Sequence, residues 1–189
     1  MKKKKIVIIG AGPGGLTAGM LLSQKGFDVH IYEKKSSVGG RNSCVKAGDY
    51  TFDLGPTFFL MKDVLERLFK LCNRDLYDYV EMVKLDPMYR LAFKDRTFFP
   101  STDRDKMIAE IERVFPKSTQ GYLNYLKRES VKYDRLIPCL EVPYGKLSDY
   151  FSLRLLKAAP YLDIHKSLFE VLGNYFDDDI LKICFTFQA

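Results

Sequence analysis

The chain has 189 residues, 30 Lys and Arg against 24 Asp and Glu, and a formal net charge of +6. That length allows one substantial core, or a domain and a fraction. No stretch approaches the roughly 18–20 unbroken apolar residues that a bilayer-spanning helix needs. The four cysteines, Cys44, Cys72, Cys139 and Cys184, show no C-x-x-C spacing and have no histidine close in sequence, so neither a metal site nor a redox dithiol is expected. They read as reduced core cysteines of a cytoplasmic protein. Nucleic acid is a conceivable partner for a basic chain, but no nucleic-acid-binding motif is present, and none is expected to bind.

The chain opens on a lysine run, Lys2 to Lys5, followed by Ile6-Val7-Ile8-Ile9. The lysines read as a solvated N-terminus, with attraction to anionic lipid headgroups as the second reading. The β-branched run predicts a strand covered on both faces by helices. Gly10-Ala11-Gly12-Pro13-Gly14-Gly15 follows. Here Gly10 permits a tight turn, Gly12 lets a pyrophosphate approach the backbone, and Gly15 allows helix to pack on strand. A helix is expected from Pro13 to Gln24, ended by Lys25-Gly26, and its free N-terminal N–H groups would stabilise a diphosphate. Phe27 to Tyr32 reads as a second strand. Glu33 closes it, placed to accept hydrogen bonds from ribose hydroxyls and to repel a 2′-phosphate. A basic, then apolar, start also resembles a secretory signal, but the glycines and proline would break its helix and no cleavage pattern follows.

A βαβ unit alone does not choose between NAD and FAD. Val38-Gly39-Gly40-Arg41 adds a second glycine pair with a cationic fork suited to phosphate oxygens, against the plainer reading of a turn with a solvated arginine. Ala47-Gly48-Asp49 predicts a hairpin turn. Phe52-Asp53-Leu54-Gly55-Pro56-Thr57 then reads equally well as a strand-ending turn or as rigid backbone against which a flavin ring lies.

From about Leu76 the glycine-rich pattern stops. Val80–Leu85, Tyr89–Phe93 and Thr97–Phe99 read as strands, the last two turned at Lys94-Asp95-Arg96. Met107, Ile108, Ile111, Val114 and Phe115 have helical spacing, as do Leu168, Phe169, Val171, Leu172, Tyr175 and Phe176. Core packing is the plainer reading of these stripes and of apolar Tyr150–Tyr161, with Arg154 and Lys157 interspersed. A monotopic membrane face or a substrate channel is the alternative. Asp177-Asp178-Asp179 reads as a helix N-cap rather than a magnesium site. His30 and His165, far apart in sequence, are given no acid–base role. The apolar run from Ile180 to Ala189 reads as a cut inside a helix, and a parallel sheet reduced to two strands would leave apolar surface bare.

The first glycine cluster, Glu33, the 38–41 motif and the 52–57 motif together resemble the phytoene desaturase (carotenoid desaturase) family, nearest the diapophytoene desaturase type. That family lies within the amine-oxidase-like FAD flavoprotein superfamily. The specific motifs lie in the first 60 residues, and looser likeness, including a Tyr89 to Phe99 hairpin, a helix entry at Pro100-Ser101-Thr102-Asp103 and a turn at 116–121, extends to the last. The resemblance implies an α/β fold with a Rossmann-like FAD-binding βαβ unit at 1–75. An incomplete α+β substrate or membrane-facing domain would follow at 76–189. It also implies noncovalent FAD and dehydrogenation of a linear isoprenoid polyene such as phytoene or diapophytoene. Carried across, Gly10, Gly12, Gly14, Gly15 and Glu33 would hold the ADP half. Gly40 and Arg41 would contact the diphosphate, and Gly55, Pro56 and Thr57 would lie near the flavin. No catalytic residue or metal ligand is assigned, and the electron acceptor, oxygen or a quinone, is not identified. The implied placement is cytoplasmic or peripheral on the inner face of the membrane. Other readings are an amine or porphyrinogen oxidase, a polyene isomerase or saturase, or an inactive truncated nucleotide-binding fragment.

Overall fold

The computed structural model describes residues 3–56 and 59–186. Two compact units meet in sequence between Val83 and Lys84.

The first unit begins with strand β1 (Lys5–Ile9), helix α1 (Pro13–Gln24) and strand β2 (Asp28–Tyr32). The strands pair in parallel, with Lys5 opposite Asp28 and Ile9 opposite Tyr32. A parallel pair needs a crossover, and α1 supplies it. The Gly26 N–H bonds to the Ser23 carbonyl and the Phe27 N–H to the Leu22 carbonyl, which ends the helix and delays β2 to Asp28. Helix and sheet meet closely: a β-carbon on Gly19 would lie 2.7 Å from Ile31 Cδ1. Ile6 and Ile8 are half-buried on this face. The opposite face is open, with Val7 55% and Ile9 91% exposed. The expectation of helices on both faces is therefore corrected, because among the described residues only α1 packs on β1. The expected bare apolar surface of a two-stranded parallel sheet is present.

A 3-10 turn at Gly40–Asn42 leads into the antiparallel hairpin β3 (Cys44–Ala47) and β4 (Tyr50–Asp53), reversed at Gly48. Helix α2 (Lys62–Leu71) and a 3-10 turn at Leu76–Asp78 follow. Lys62, Glu66 and Tyr77 fasten the two together, with the Tyr77 hydroxyl donating to Glu66 Oε1 and Lys62 Nζ 2.9 Å from both oxygens.

In the second unit, strands β5 (Leu91–Ala92) and β6 (Thr97–Phe98) form a minimal hairpin, shorter than the sequence suggests. Side chains of helix α3 (Arg104–Val114) take the β6 edge: Phe99 N–H donates to Glu110 and Arg113 donates to the Thr97 carbonyl. Residues 80–85 are not a strand. Their propensity is adequate, but no neighbouring strand among the described residues completes a ladder. The helix entry expected at 100–103 is present, and Asp103 caps α3 by accepting from the Asp105 and Lys106 N–H groups.

Helix α4 (Thr119–Leu140), α5 (Leu153–Ala158), α6 (Leu168–Leu172) and α7 (Asp179–Thr186) complete the unit. The expected 116–121 turn stops at Ser118, and Gly121 already lies in α4, where a β-carbon would strike the Tyr175 carbonyl oxygen at 1.9 Å. The core is Phe98, Met107, Ile111, Phe115, Tyr122, Leu172, Phe176, Leu181 and Cys184. Both helical stripes thus serve packing, except for the exposed Phe169, although α6 stops at Leu172 and a turn delivers Phe176. Asp178 caps α7 by accepting from the Ile180 and Leu181 N–H groups, as its position before an apolar helix predicts. Cys72, Cys139 and Cys184 are buried thiols; Cys44 is exposed, which corrects its placement in a core.

Candidate functional site: three glycine turns brought together

The first turn leaves β1 at Gly10, whose φ of +100° is open to glycine, and the Gly10 N–H donates to the Tyr32 carbonyl at 2.7 Å. Gly12 is the N-cap of α1. No side chain caps this end and no acid lies in its first turn. The first-turn N–H groups lack intrahelical acceptors and carry partial positive charge, an arrangement suited to an anion. Gly15 packs against the turn so tightly that its β-carbon would lie 2.0 Å from the Gly10 carbonyl oxygen. Gly14 meets nothing within 4 Å, so no close contact within the fold requires a glycine there.

Glu33 curls back from the end of β2. Its Oε2 accepts from the Ala11 N–H at 2.8 Å and its Oε1 from the Lys35 N–H at 3.0 Å. Those bonds, the Ala11 one foremost, hold its carboxyl below the usual carboxylate range against a smaller opposing effect of desolvation. A carboxylate offers about four lone-pair directions, so two remain for further donors.

The second turn docks on the first. The Gly39 N–H donates to the Ala11 carbonyl at 2.8 Å. Gly40, at φ +59°, comes so near that its β-carbon would lie 3.0 Å from Gly12 Cα. The buried Ser43 hydroxyl donates to the Gly40 carbonyl at 2.8 Å and fixes the turn. Arg41 is exposed and makes no salt bridge among the described residues. The third turn then docks on the second, since a β-carbon on Gly55 would lie 2.0 Å from the Arg41 carbonyl oxygen. Asn42, Ser43, Asp53, Gly55, Pro56 and Leu60 border a cleft of about 410 Å³ beside it.

Gly10, Gly12, Gly15, Gly40, Arg41 and Gly55 therefore belong to one continuous set of main-chain contacts, which Glu33 joins through its carboxylate, and Pro56 borders the cleft beside it. Thr57 lies outside the described residues. Sequence reasoning missed Ala11, 2% exposed, whose peptide bonds to both Glu33 and Gly39. Its position between two glycines is the available signal. It also missed Gly19, one helical turn beyond Gly15 and so on the same packed face. Close main-chain approach, free helix N–H groups, an arginine with no salt bridge among the described residues and an acid with spare lone pairs fit a dinucleotide.

The model for the NAD(P)-binding Rossmann-like domain family matches residues 8–74. Over 186 residues the chain is 47% identical to a 4,4′-diapophytoene desaturase (4,4′-diapolycopene-forming) of Methylomonas sp, covering 98% of this chain and 36% of that protein. It is 36% identical over 188 residues to a zeta-carotene-forming phytoene desaturase of Myxococcus xanthus, covering 98% of this chain and 36% of that protein. A 4,4′-diapophytoene desaturase (4,4′-diaponeurosporene-forming) of Staphylococcus aureus is 33% identical over 190 residues, covering 98% of this chain and 37% of that protein. The chain thus spans little more than a third of the length of the curated relatives it matches. Its N-terminal part is Rossmann-like, and sequence homology ties the chain to part of the length of the phytoene and diapophytoene desaturases.

Proposed function

We propose that this chain carries the nucleotide-gripping part of an FAD-dependent desaturase acting on a linear isoprenoid polyene, of the phytoene or diapophytoene class. The observation that carries the reading is the approach of Gly40 to Gly12, which sets a second glycine turn beside the helix N-terminus that awaits a diphosphate. A second cradle at that place, with Arg41 on it, suits a nucleotide gripped from two sides. The spare lone pairs of Glu33 would accept ribose O–H groups. The α1 N–H groups and Arg41 would neutralise the diphosphate. Gly55 and Pro56, seated on the Arg41 backbone, would present rigid main chain toward the ring end, with Thr57 next in sequence. When bound, the flavin supplies the two-electron acceptor that dehydrogenation of an unactivated C–H bond needs.

Supporting the substrate class are the names of the relatives, diapophytoene and phytoene desaturases at 33–47% identity. A polyene offers no ionisable handle, so positioning along apolar walls must do the work of recognition. Such a substrate resides in lipid, and the protein would act peripherally at a membrane surface. Among the described residues no helix is long and apolar enough to cross one.

The test is a visible spectrum of the purified full-length protein, followed by assay with phytoene and diapophytoene. Flavin absorption bands that survive desalting, and a coloured product from one polyene, are expected. Retention of NAD without flavin would refute the cofactor assignment. Flavin without product from either polyene would point to another member of the superfamily.

A further inference from the structure

The second glycine turn has little of its own to hold it. Gly39 and Gly40 follow one another at φ +109° and +59°, where glycine passes between conformations at small cost. The turn is the three-residue 3-10 segment Gly40–Asn42, closed by the Asn42 N–H donating to the Gly39 carbonyl at 3.0 Å. Two further bonds fasten it. The Gly39 N–H ties its start to the Ala11 carbonyl, and the Ser43 hydroxyl takes the Gly40 carbonyl at 2.8 Å.

Packing alone does not call for that hydroxyl. Ser43 is buried, its backbone is extended, and its own carbonyl accepts from the Leu54 N–H at 3.0 Å beside the β3–β4 hairpin. An alanine would serve all of this and would bury no polar group. What the hydroxyl adds is direction. A trans peptide is planar, with its carbonyl and its N–H on opposite edges. While Ser43 holds the Gly40 oxygen, the Arg41 N–H points away from Ser43, and the backbone from which the Arg41 side chain departs is fixed. Released, the 40–41 peptide would be free to turn about Gly40. That turn exchanges an N–H donor for a carbonyl oxygen of partial negative charge, the wrong sign for an anion cradle. We propose that Ser43 is a positioning residue of the nucleotide grip: through the Gly40 carbonyl, its hydroxyl holds the second turn in the orientation that offers Arg41 to the diphosphate. This deepens the FAD reading and rests on it for the identity of the anion.

The full-length protein, freed of its flavin, is titrated with FAD and followed by flavin fluorescence. Ser43→Ala should weaken FAD binding about three- to tenfold, the worth of one neutral hydrogen bond, while the apoprotein keeps its melting profile. Release of FAD from the holoprotein on dilution should quicken by the same factor. In an Arg41→Ala background the same substitution should cost less than about twofold, because the group that Ser43 orients is gone. A merely structural hydroxyl would not show that coupling. Equal losses in both backgrounds would overturn the assignment, as would FAD affinity and release unchanged by Ser43→Ala. An apoprotein that melts far below the wild type would make the hydroxyl a support of the fold and overturn it too. Each of these results leaves the cofactor reading standing. A wild-type protein that takes up no FAD would instead overturn the cofactor reading, and this assignment with it.

Discussion

Gly40 stands over Gly12 so that a β-carbon on the former would lie 3.0 Å from the α-carbon of the latter. The neighbour is backbone, which cannot swing aside as a side chain would. At φ +59° Gly40 also occupies the left-handed region, costing an alanine about 1–2 kcal/mol. Gly40→Ala should therefore push the two turns apart. The expected outcome is a protein that folds with a slightly lower melting temperature and loses most of its flavin. The ratio of flavin to protein absorbance checks it; wild-type occupancy would show that the approach is unrelated to the cofactor.

Glu33 makes the same site sensitive to acid. Its carboxyl titrates below its ordinary value of 4.5 because the Ala11 and Lys35 N–H groups favour the charged form. A depressed carboxylate contributes stability above its unfolded pKa and loses that contribution as pH falls through the folded one. Glu33→Gln should lower stability at neutral pH, and the difference from wild type should shrink below about pH 4.5. Melting temperatures of both proteins across pH 3–7 test this. A difference independent of pH would mean that the charge on Glu33 does not matter.

In the second unit, Arg128 Nη2 meets both oxygens of Asp163, at 2.6 and 2.8 Å, and Lys132 Nζ adds a third contact at 3.2 Å. Burial pushes the Asp163 carboxyl up, but these bonds more than offset it and its pKa falls below the usual range. The pair ties mid-α4 to the segment after the 3-10 turn Ala159–Tyr161. Asp163→Asn should cost about 1–2 kcal/mol, little of it screened by salt because both partners are largely covered. Urea titration at two ionic strengths is the measurement.

Ile111 is fully buried among Phe98, Phe115 and the residues of α6 and α7. Ile111→Ala should destabilise by about 2–5 kcal/mol through lost burial and the cavity left behind. The urea midpoint reports it, and flavin occupancy should be unchanged, because Ile111 belongs to the other unit.

Periodicity and glycine placement made β1, α1 and β2 legible in the sequence, because a buried strand, a helix and a chirality-fixed crossover each leave a local pattern. The capping run that holds Asp178 was legible for the same local reason. Closure of one glycine turn on another was not, since Gly12 and Gly40 lie far apart in sequence and only packing brings them together. Ala11 escaped notice because its contribution is made through its peptide rather than its side chain. Val80–Leu85 misled in the other direction: a strand exists only when a neighbour completes its hydrogen bonds, and propensity carries no record of the neighbour.

The Ala11 peptide donates to Glu33 and accepts from Gly39, so the acid, the first turn and the second turn form one mechanical unit. An exchange of nucleotide preference between related proteins would fail if it moved the first 33 residues alone. The grafted Ala11 carbonyl would face a foreign second turn whose N–H no longer met it. The smallest portable cassette runs from β1 through Ser43, whose hydroxyl locks the far side of the joint.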